Sequence, residues 1–426
     1  MKRKHLLYAA AASALFLTPM TAGFAQEGTV GDCISDGLYG NEPNIEGPFA
    51  PGGPSEQEPG SLAGGRVAPS QSPGPFVNNP LDPDELAGLA CEDEVESRLV
   101  RQVGDGLEVE NGPFAETRFD MLGDKGWTLL VQAVDHHVPA VAALIEPFRF
   151  IPNWRIDDVM VSYAADGGGV GAHFDQYDVF LIQGLGKRRW QIGARCDEAS
   201  PLLPHDDLRL LAGFEPTDEW ILEPGDILYV PPGVAHNGVA VGDDCMTYSI
   251  GFRAPSRSDL IAHWSEHLVD GMGDGDRYGD PDLRAQDNPG EITGDAIARL
   301  HAMVTEAMRD RDAFARWFGQ YESTPKYPEM DWRPEEEIGI EELRARLADG
   351  APLFRNPASR FSFIRRDGRL LLLFVDGQCF ECGSDTAAFA ETLCAQDRIE
   401  IGPDHPALTL IAQLFNQGSV TFEPKD

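Results

Sequence analysis

The chain has 426 residues, of which 42% are hydrophobic and 9% aromatic. This length allows two or three domains, and this composition excludes a chain that is disordered throughout. Its 70 acidic residues against 34 basic residues give a formal net charge of −36, which repels nucleic-acid phosphates and anionic lipid and attracts basic proteins. The same charge also serves solubility, and it does not choose between a basic partner and solubility alone.

The N-terminal segment, residues 1–25, has the pattern of a secretory signal. It has a basic start at Lys2–Lys4, an apolar run at Leu6–Leu17 and small residues near Ala25. The run is too short to cross a bilayer, so no membrane span is expected. The alternative is that this start is not the natural one. Residues 26–76 are rich in Gly, Pro, Ser and Glu without helical or strand periodicity, which predicts an irregular arm.

A β-rich domain is predicted from residue 77 to residue 256. It opens with a helix around Leu86–Leu89, and the apolar stretch Trp127–Phe148 predicts helix on both sides of Pro139. From Asp157 onward, short apolar stretches alternate with Gly and Pro, which favours an antiparallel barrel or jelly roll. The predicted strands are Val159–Tyr163, Val179–Leu181, Arg188–Ile192, Ile227–Val230 and Met246–Phe252.

One segment of this domain, Gly167–Asp175, is the most informative about chemistry. Side chains two residues apart on a strand point to the same face, so His173 and Asp175 can reach one point inside a barrel. Downstream, a Pro-Gly-Asp turn leads into a strand, and a Pro-Pro-Gly turn leads out of it to His236. Two histidines and one carboxylate form the facial triad of non-heme iron(II) oxygenases, whose open positions take an oxoacid and dioxygen. A barrel with vestigial or non-iron ligands is the alternative.

A second candidate site residue lies on the predicted strand Lys187–Ile192, after a turn predicted at Gly184–Gly186. Counting by two puts Arg188 on the apolar, inward face with Trp190, while Arg189 faces water. A buried guanidinium needs an anion, and it can hold a carboxylate through two parallel hydrogen bonds. We therefore predict that Arg188 binds the far carboxylate of 2-oxoglutarate. A salt bridge to a buried acid of the protein is the alternative.

After residue 256, the predicted secondary structure changes twice. Apolar residues recur at helical spacing over residues 257–350, which suits a dimerisation surface and is explained equally well by core packing. Residues 351–426 mix strands and helices and are expected to form a small α+β domain. There, a hairpin turn predicted at Asp376-Gly377 would place Cys379 and Cys382 on the following strand. We expect these cysteines to pack structurally, with redox or metal chemistry as the alternative.

Several motifs occur in the order found in a known family. They are Pro83–Ala90, Trp154–Asp158, Gly167–Phe180, Gly184–Trp190, Leu222–Gly233 and Tyr248–Pro255. By these motifs the chain, from about residue 76 to the C-terminus, resembles the bacterial ribosomal oxygenases. These are Jumonji-C-type cupin enzymes that hydroxylate an arginine side chain of the large-subunit ribosomal protein L-sixteen.

The resemblance implies a double-stranded β-helix core, a helical dimerisation region and a C-terminal winged-helix-like domain. It places His173, Asp175 and His236 on the family's iron(II) ligands and Arg188 on its 2-oxoglutarate-binding arginine. It also implies a homodimer that acts on a basic ribosomal protein. Arginines cluster between residues 355 and 369, but the acidity of the whole chain does not favour nucleic acid as a partner.

Three expectations follow from this reasoning and stay open to test. Iron(II), 2-oxoglutarate and ribosomal proteins are cytoplasmic, so we expect a cytoplasmic protein whose natural first residue differs from Met1. Mature protein that begins at Gln26 in a periplasmic fraction would contradict this expectation. A cationic substrate needs an acceptor, for which Asp166 and Asp178 are candidates, with surface solvation as the alternative. Two alternatives to hydroxylation of a ribosomal protein remain. One is the same chemistry on another protein or on a small molecule, and the other is a non-catalytic barrel that binds a basic protein.

Overall fold

The structure of the chain is a computed structural model that describes residues 65–67, 79–104, 106–366 and 370–422. The signal-like segment 1–25 lies outside the described residues, and so does most of the predicted arm 26–76. The exception is Gly65–Val67, which pairs antiparallel with Ile227–Tyr229. This part of the arm is therefore an edge strand, and the prediction of an irregular arm is wrong there.

An antiparallel sheet of nine strands organises the first part of the described chain. Its strands are β1 Gly65–Val67, β2 Ser97–Val103, β3 Gly106–Asn111, β4 Trp127–Val131, β5 Ile156–Ala164, β6 Asp178–Arg195, β7 Pro216–Leu222, β8 Ile227–Val230 and β9 Val234–Phe252. The order across the sheet is β1-β8-β6-β9-β5-β4-β2-β3, and β7 also pairs with β6. Strands that are distant in the chain therefore become neighbours.

Two long strands, β6 and β9, form the centre of the barrel. They pair along most of their lengths with several register shifts, while β8 pairs with the first half of β6 and β7 with its second half. One of the shifts lies at Gly186, whose φ is +59° and where a Cβ would lie 2.5 Å from the carbonyl oxygen of Asp244. The turn predicted at Gly184–Gly186 is therefore wrong, because these residues form a bulge within a continuous strand.

Helices cover the sheet and continue the chain beyond it. In the described residues they are α1 Pro83–Leu89, α2 Thr117–Asp120, α3 Pro139–Ala142, α4 Arg257–Asp270, α5 Gly294–Ala307, α6 Arg311–Glu322, α7 Ile340–Ala348, α8 Ser384–Ala395 and α9 Leu408–Asn416. Short 3-10 helices occur at Val134–His136, Ala143–Phe148 and Asn153–Arg155. None of the helices in this part of the chain has both the length and the apolar character that crossing a bilayer requires.

The helix predicted over Trp127–Phe148 is wrong in its first part. Residues Trp127–Val131 form β4, which pairs with β2 on one side and β5 on the other. A short apolar run fits a buried strand and a buried helix equally well, and only the two neighbouring strands favour the extended form. The second part is helical as predicted, with Pro139 in the first turn of α3.

Two apolar cores stabilise the barrel. One lies inside it and includes Trp190, Ile192 and Leu228. The other packs the N-terminal helices against the sheet, around side chains such as Leu86 and Ile250. Arg188 on β6 and His236 on β9 therefore lie on strands that are packed against these cores, which limits their movement.

The C-terminal part of the chain has a core of its own. Its strands are β10 Leu353–Arg355, β11 Phe361–Arg365, β12 Leu371–Val375, β13 Gln378–Cys382, β14 Arg398–Ile399 and β15 Val420–Thr421, in two three-stranded sheets packed with α7 to α9. Asp376 and Gly377, with φ of +50° and +78°, link β12 to β13 and confirm the predicted hairpin turn. Cys379 and Cys382 lie on β13 as predicted, and both thiols are free.

A glycine on β9 offers a test of packing inside the barrel. A Cβ at Gly238 would lie 2.6 Å from the indole ring of the buried Trp190. We expect Gly238→Ala to lower the free energy of unfolding by about 1–3 kcal/mol, because the ring must shift in a close-packed core. Gly88→Ala in α1, where nothing lies within 4 Å of the added atom, should instead be neutral or stabilising by about 0.5–1 kcal/mol. Denaturant titrations that give both variants the same midpoint would contradict this.

Candidate metal centre

The predicted ligands His173, Asp175 and His236 meet at one point. Their ligand atoms all lie within 4.8 Å of one another. Oδ2 of Asp175 lies 3.9 Å from Nε2 of His173 and 3.6 Å from Nε2 of His236. Among the residues that the structure describes, this is the one group of three histidine, cysteine or acidic side chains that comes together in this way.

The backbone holds the two histidines opposite each other. The amide of His173 donates to the carbonyl of His236 at 3.0 Å, and the amide of His236 donates to the carbonyl of His173 at 2.8 Å. The Pro-Pro-Gly turn before His236 includes Gly233, whose φ is +78° and whose amide donates to the carbonyl of Asp175 at 2.6 Å. The turn that delivers one ligand therefore also fixes the segment that carries the other two.

A backbone carbonyl orients each imidazole. Nδ1 of His173 lies 2.9 Å from the carbonyl oxygen of Gly171, and Nδ1 of His236 lies 3.0 Å from that of Val234. Because a carbonyl only accepts, each Nδ1 carries the proton and each Nε2 keeps a lone pair for a metal. Burial, together with the neighbouring His173, lowers the pKa of His236 to about 4, so its ring is neutral at neutral pH, as ligation requires.

Arg188 lies on β6 with its side chain inside the barrel, as predicted. The residue is 4% exposed, its Nε donates to Sγ of Cys245 at 3.4 Å, and its guanidinium lies 5.8 Å from the centre of the Trp190 ring. Its buried Nη2 has no hydrogen-bond partner. No acidic side chain in the described ranges forms a salt bridge with it, so the alternative of a buried protein acid finds no support there. A buried guanidinium with an unused donor fits an anionic ligand.

A cavity of about 140 Å³ lies beside the triad. His173 and Asp175 line it, together with two further acids, Asp157 and Asp158. Its other walls include Arg98, Met160, Tyr177, Val179, Leu208, Arg209 and Ser249. A larger cavity, of about 220 Å³, lies between the barrel and the C-terminal part and contains none of the triad residues. We place the site at the smaller cavity, because only that one adjoins the metal ligands.

Asp157 and Asp158 are site residues that our sequence reasoning missed. On a regular strand, two neighbouring side chains point to opposite faces, but the pairing of β5 with β9 shifts register between Ile156 and Val159. This bulge allows both carboxyl groups to line one cavity. The signal in the sequence is a pair of acids at the start of an otherwise apolar strand.

The acids that we named as candidate acceptors are engaged elsewhere. Asp166 pairs with Lys125 at 3.1 Å. Asp178 pairs with Arg155 at 2.8 Å and accepts a hydrogen bond from the hydroxyl of Tyr229 at 2.6 Å. Neither acid lines the cavity beside the triad, so they are not the acceptors that a substrate in this cavity would meet.

The fold and the site define a JmjC-type cupin protein. Residues 143–260 match the JmjC domain family, and residues 306–421 match the ROXA-like winged helix family. The predicted fold class, a cupin-type core followed by helices and a C-terminal winged-helix-like α+β domain, is therefore confirmed. The four segment boundaries that we predicted, at residues 25, 76, 256 and 350, are not fixed by these matches and stay a prediction.

Individual relatives narrow the family further. The ribosomal protein uL16 3-hydroxylase of Escherichia coli is 38% identical over 350 residues, which cover 81% of this chain and 91% of that protein. The probable ribosomal oxygenase of Haemophilus influenzae is 36% identical over 260 residues, which cover 58% of this chain and 62% of that protein. The X-ray structure of Escherichia coli YcfD matches with a TM-score of 0.73 at 36% identity, covering 81% of this chain and 91% of the other. YcfD in complex with cobalt and 2-oxoglutarate matches with a TM-score of 0.69 over the same shares at 36% identity. The chain belongs to the JmjC family of ribosomal oxygenases.

The geometry of the triad predicts a single site for a divalent metal. His173→Ala should weaken binding of manganese(II) by on the order of 100-fold or more, because one of three ligands is lost. His263→Ala, which removes an exposed imidazole on α4, is the matched control and should leave the affinity unchanged. Manganese electron paramagnetic resonance titrations measure both, and equal affinities for the two variants would show that the triad does not bind the metal.

Proposed function

We propose that the protein is an iron(II)- and 2-oxoglutarate-dependent oxygenase that hydroxylates a side chain of a ribosomal protein, namely an arginine. The observation that carries this proposal is the presence, in one barrel, of the triad and of a buried arginine with an unused donor. The relatives support it: one is named a ribosomal protein hydroxylase, and YcfD binds cobalt and 2-oxoglutarate.

His173, Asp175 and His236 would hold iron(II), since two neutral imidazoles and one carboxylate leave positions for further ligands. The bound iron, with 2-oxoglutarate and dioxygen, supplies an oxidation in which 2-oxoglutarate becomes succinate and carbon dioxide and one oxygen atom enters a substrate C–H bond. The protein itself orients these groups and excludes water from them.

Arg188 would bind the far carboxylate of 2-oxoglutarate. Ile192, which pairs with His236 across the two long strands, follows Arg188 on β6 by four residues. That separation is about 13 Å along a strand, a span that two inward side chains and a five-carbon dicarboxylate can bridge. The same strand pairing therefore sets the positions of both the metal and the guanidinium.

The cavity beside the triad favours a cationic side chain. The carboxyl group of Asp158, which lines this cavity, can accept a charge-assisted hydrogen bond from a guanidinium. Tyr177 offers an aromatic ring and Met160 an apolar wall to the methylene groups of such a side chain. The net charge of −36 adds a long-range attraction for a basic ribosomal protein.

The test loads the purified protein with iron(II) and 2-oxoglutarate without oxygen, then adds air and ribosomal protein. Mass spectrometry should find one added oxygen on an arginine, with one succinate formed for each hydroxylation, and His173→Ala should abolish both. Oxygen added to another residue or to a small molecule would keep the chemistry and change the substrate. Tight binding of a basic protein without any consumption of 2-oxoglutarate would instead indicate a non-catalytic binding protein.

Within this assay, Arg188→Met tests the role of the buried guanidinium. We expect the KM for 2-oxoglutarate to rise by about 10- to 100-fold, because hydrogen bonds to a charged group contribute about 1.5–3 kcal/mol. Lys187→Met is the matched control, since Lys187 is the exposed neighbour that pairs with Glu223 at 2.6 Å. A KM that stays the same in Arg188→Met would remove this residue from the proposed site.

We further propose that the protein is a homodimer that uses α5. This helix exposes Ile297, Leu300, Met303 and Val304, which are 53%, 42%, 37% and 60% accessible and share one helical face. A continuous apolar stripe facing water is typical of a protein interface. The core-packing alternative for residues 257–350 does not account for these four side chains.

The dimer is tested by placing charge in the stripe. We expect the double variant Leu300→Asp, Val304→Asp to be monomeric, because two buried carboxylates from each copy would meet without partners. Glu306→Ala, on the polar side of the same helix, should remain dimeric. Light scattering coupled to size-exclusion chromatography gives both masses, and a wild-type protein with the mass of one chain would contradict the proposal.

A cytoplasmic location completes the proposal. It is supported by the ribosomal protein named as the target of the Escherichia coli relative. The signal-like segment 1–25, on which the exported alternative depends, lies outside the described residues.

A further inference from the structure

A lysine from the C-terminal part of the chain contacts the two aspartates that line the cavity beside the triad. Lys326 follows α6, within the segment that matches the winged-helix family. Its side chain is 5% exposed, and its Nζ lies 2.9 Å from Oδ2 of Asp158 and 3.2 Å from Oδ2 of Asp157. Both aspartates line the cavity that contains His173 and Asp175. A residue outside the barrel is thus in contact with the wall that a substrate meets.

Three donors converge on one oxygen of Asp158. Oδ2 accepts hydrogen bonds from Nε2 of Gln132 at 2.7 Å, from the amide of Ala133 at 2.9 Å and from Nζ of Lys326 at 2.9 Å. Within the described ranges, no residue donates a hydrogen bond to Oδ1. Asp158 is therefore fixed through one oxygen and keeps the other for a ligand.

Asp157 differs from its neighbour, because cations occupy both of its oxygens. Lys326 contacts Oδ2, and Nη2 of Arg360 lies 3.2 Å from Oδ1. Arg360 also belongs to the C-terminal part of the chain, where it precedes β11. Asp157 thus anchors the C-terminal part to the barrel, and Asp158 is the acid that remains available to a substrate.

The charges in this cluster depend on one another. Burial raises the pKa of Asp158, and the charge of Lys326 is the largest effect that opposes this rise. Burial acts in the same direction on Asp157, but there Lys326 and Arg360 outweigh it and hold the pKa below its usual value. Burial would lower the pKa of Lys326, and the two carboxylates outweigh it, so the ammonium stays charged.

We propose that Lys326 is a positioning residue for the substrate, which orients Asp158 so that its Oδ1 accepts a hydrogen bond from a guanidinium in the cavity. This inference rests on the proposed function for the class of substrate. It goes further in assigning the charge selectivity of the site to a residue of the winged-helix segment.

Loss of the ammonium has a specific chemical consequence. Without Lys326, Arg360 still pairs with Asp157, but no cation of the described residues contacts Asp158, so the buried Asp158 takes up a proton more readily. A protonated Asp158 carries no negative charge, so its hydrogen bond to a guanidinium loses the attraction between opposite charges and is weaker than the bond to a carboxylate. The site then loses its preference for a cation, while its shape for the rest of the substrate is kept.

The experiment compares two peptides that differ in one side chain, which ends in a charged guanidinium in one peptide and in an uncharged urea group in the other. One contains a single arginine from a ribosomal protein sequence, and the other has citrulline, its uncharged isostere, at that position. Binding of each to the full chain is measured by fluorescence polarisation without oxygen, so that no turnover is needed. We expect the wild type to prefer arginine, and Lys326→Met to reduce the preference by about tenfold. Lys326→Arg should retain most of it.

A matched control separates positioning from docking. Arg149 pairs with Asp397 at 3.1 Å and so also joins the barrel to the C-terminal part, but it does not line the catalytic cavity. Arg149→Met should leave the preference for arginine unchanged. A Lys326→Met variant that keeps the full preference, or that loses affinity for both peptides equally, overturns the proposal.

The result is also independent of the proposed reaction. A wild type that prefers arginine and never consumes 2-oxoglutarate refutes the oxygenase function and leaves the role of Lys326 intact. A wild type that hydroxylates a protein but binds both peptides equally overturns the inference and leaves the oxygenase function intact.

Discussion

The two backbone hydrogen bonds between His173 and His236 are the constraint on which the site depends. They pair the segment before β6 with the start of β9, so that ligands from distant parts of the chain share one point. Each imidazole then points the same way for the same reason, because its Nδ1 meets the carbonyl of the residue two positions earlier. A repeated local geometry thus prepares both rings for a metal before any metal binds.

Rigid strands extend this constraint through the barrel. Arg188 and His236 belong to β6 and β9, whose pairing register fixes the distance between the buried guanidinium and the triad. The core around Trp190 joins apolar side chains of both strands, including Ile192 of β6 and Val234 of β9. In the proposed role of Arg188, this fixed distance favours an anion of one length.

Acidic residues have different roles on the surface of the protein and in the cavity. The net charge of −36 is a property of the whole chain, whereas Asp158 is buried, Asp157 is partly buried, and both are balanced by Lys326 and Arg360. The arginines of the C-terminal part that suggested a basic patch are likewise paired with acids: Arg355 with Asp397, Arg360 with Asp157, Arg365 with Glu391 and Arg366 with Asp312. Each of these four arginines is thus paired with an acid, so together they do not form a free basic patch. The winged-helix part instead contributes Lys326 to the wall of the cavity.

The sequence by itself determined the residues that a periodic pattern or a turn motif can point to. The H-x-D pair and the inward position of Arg188 were predicted from the two-residue period of a strand, and His236 was predicted from the Pro-Pro-Gly turn before it. The tertiary structure alone decided the rest. It made Trp127–Val131 a strand through pairing on both sides, turned Gly184–Gly186 into a bulge, and brought Asp157 and Asp158 to the cavity through another. It also brought Lys326 to these acids, because contacts between segments far apart in the chain depend on how the sheet closes and leave no periodic signal.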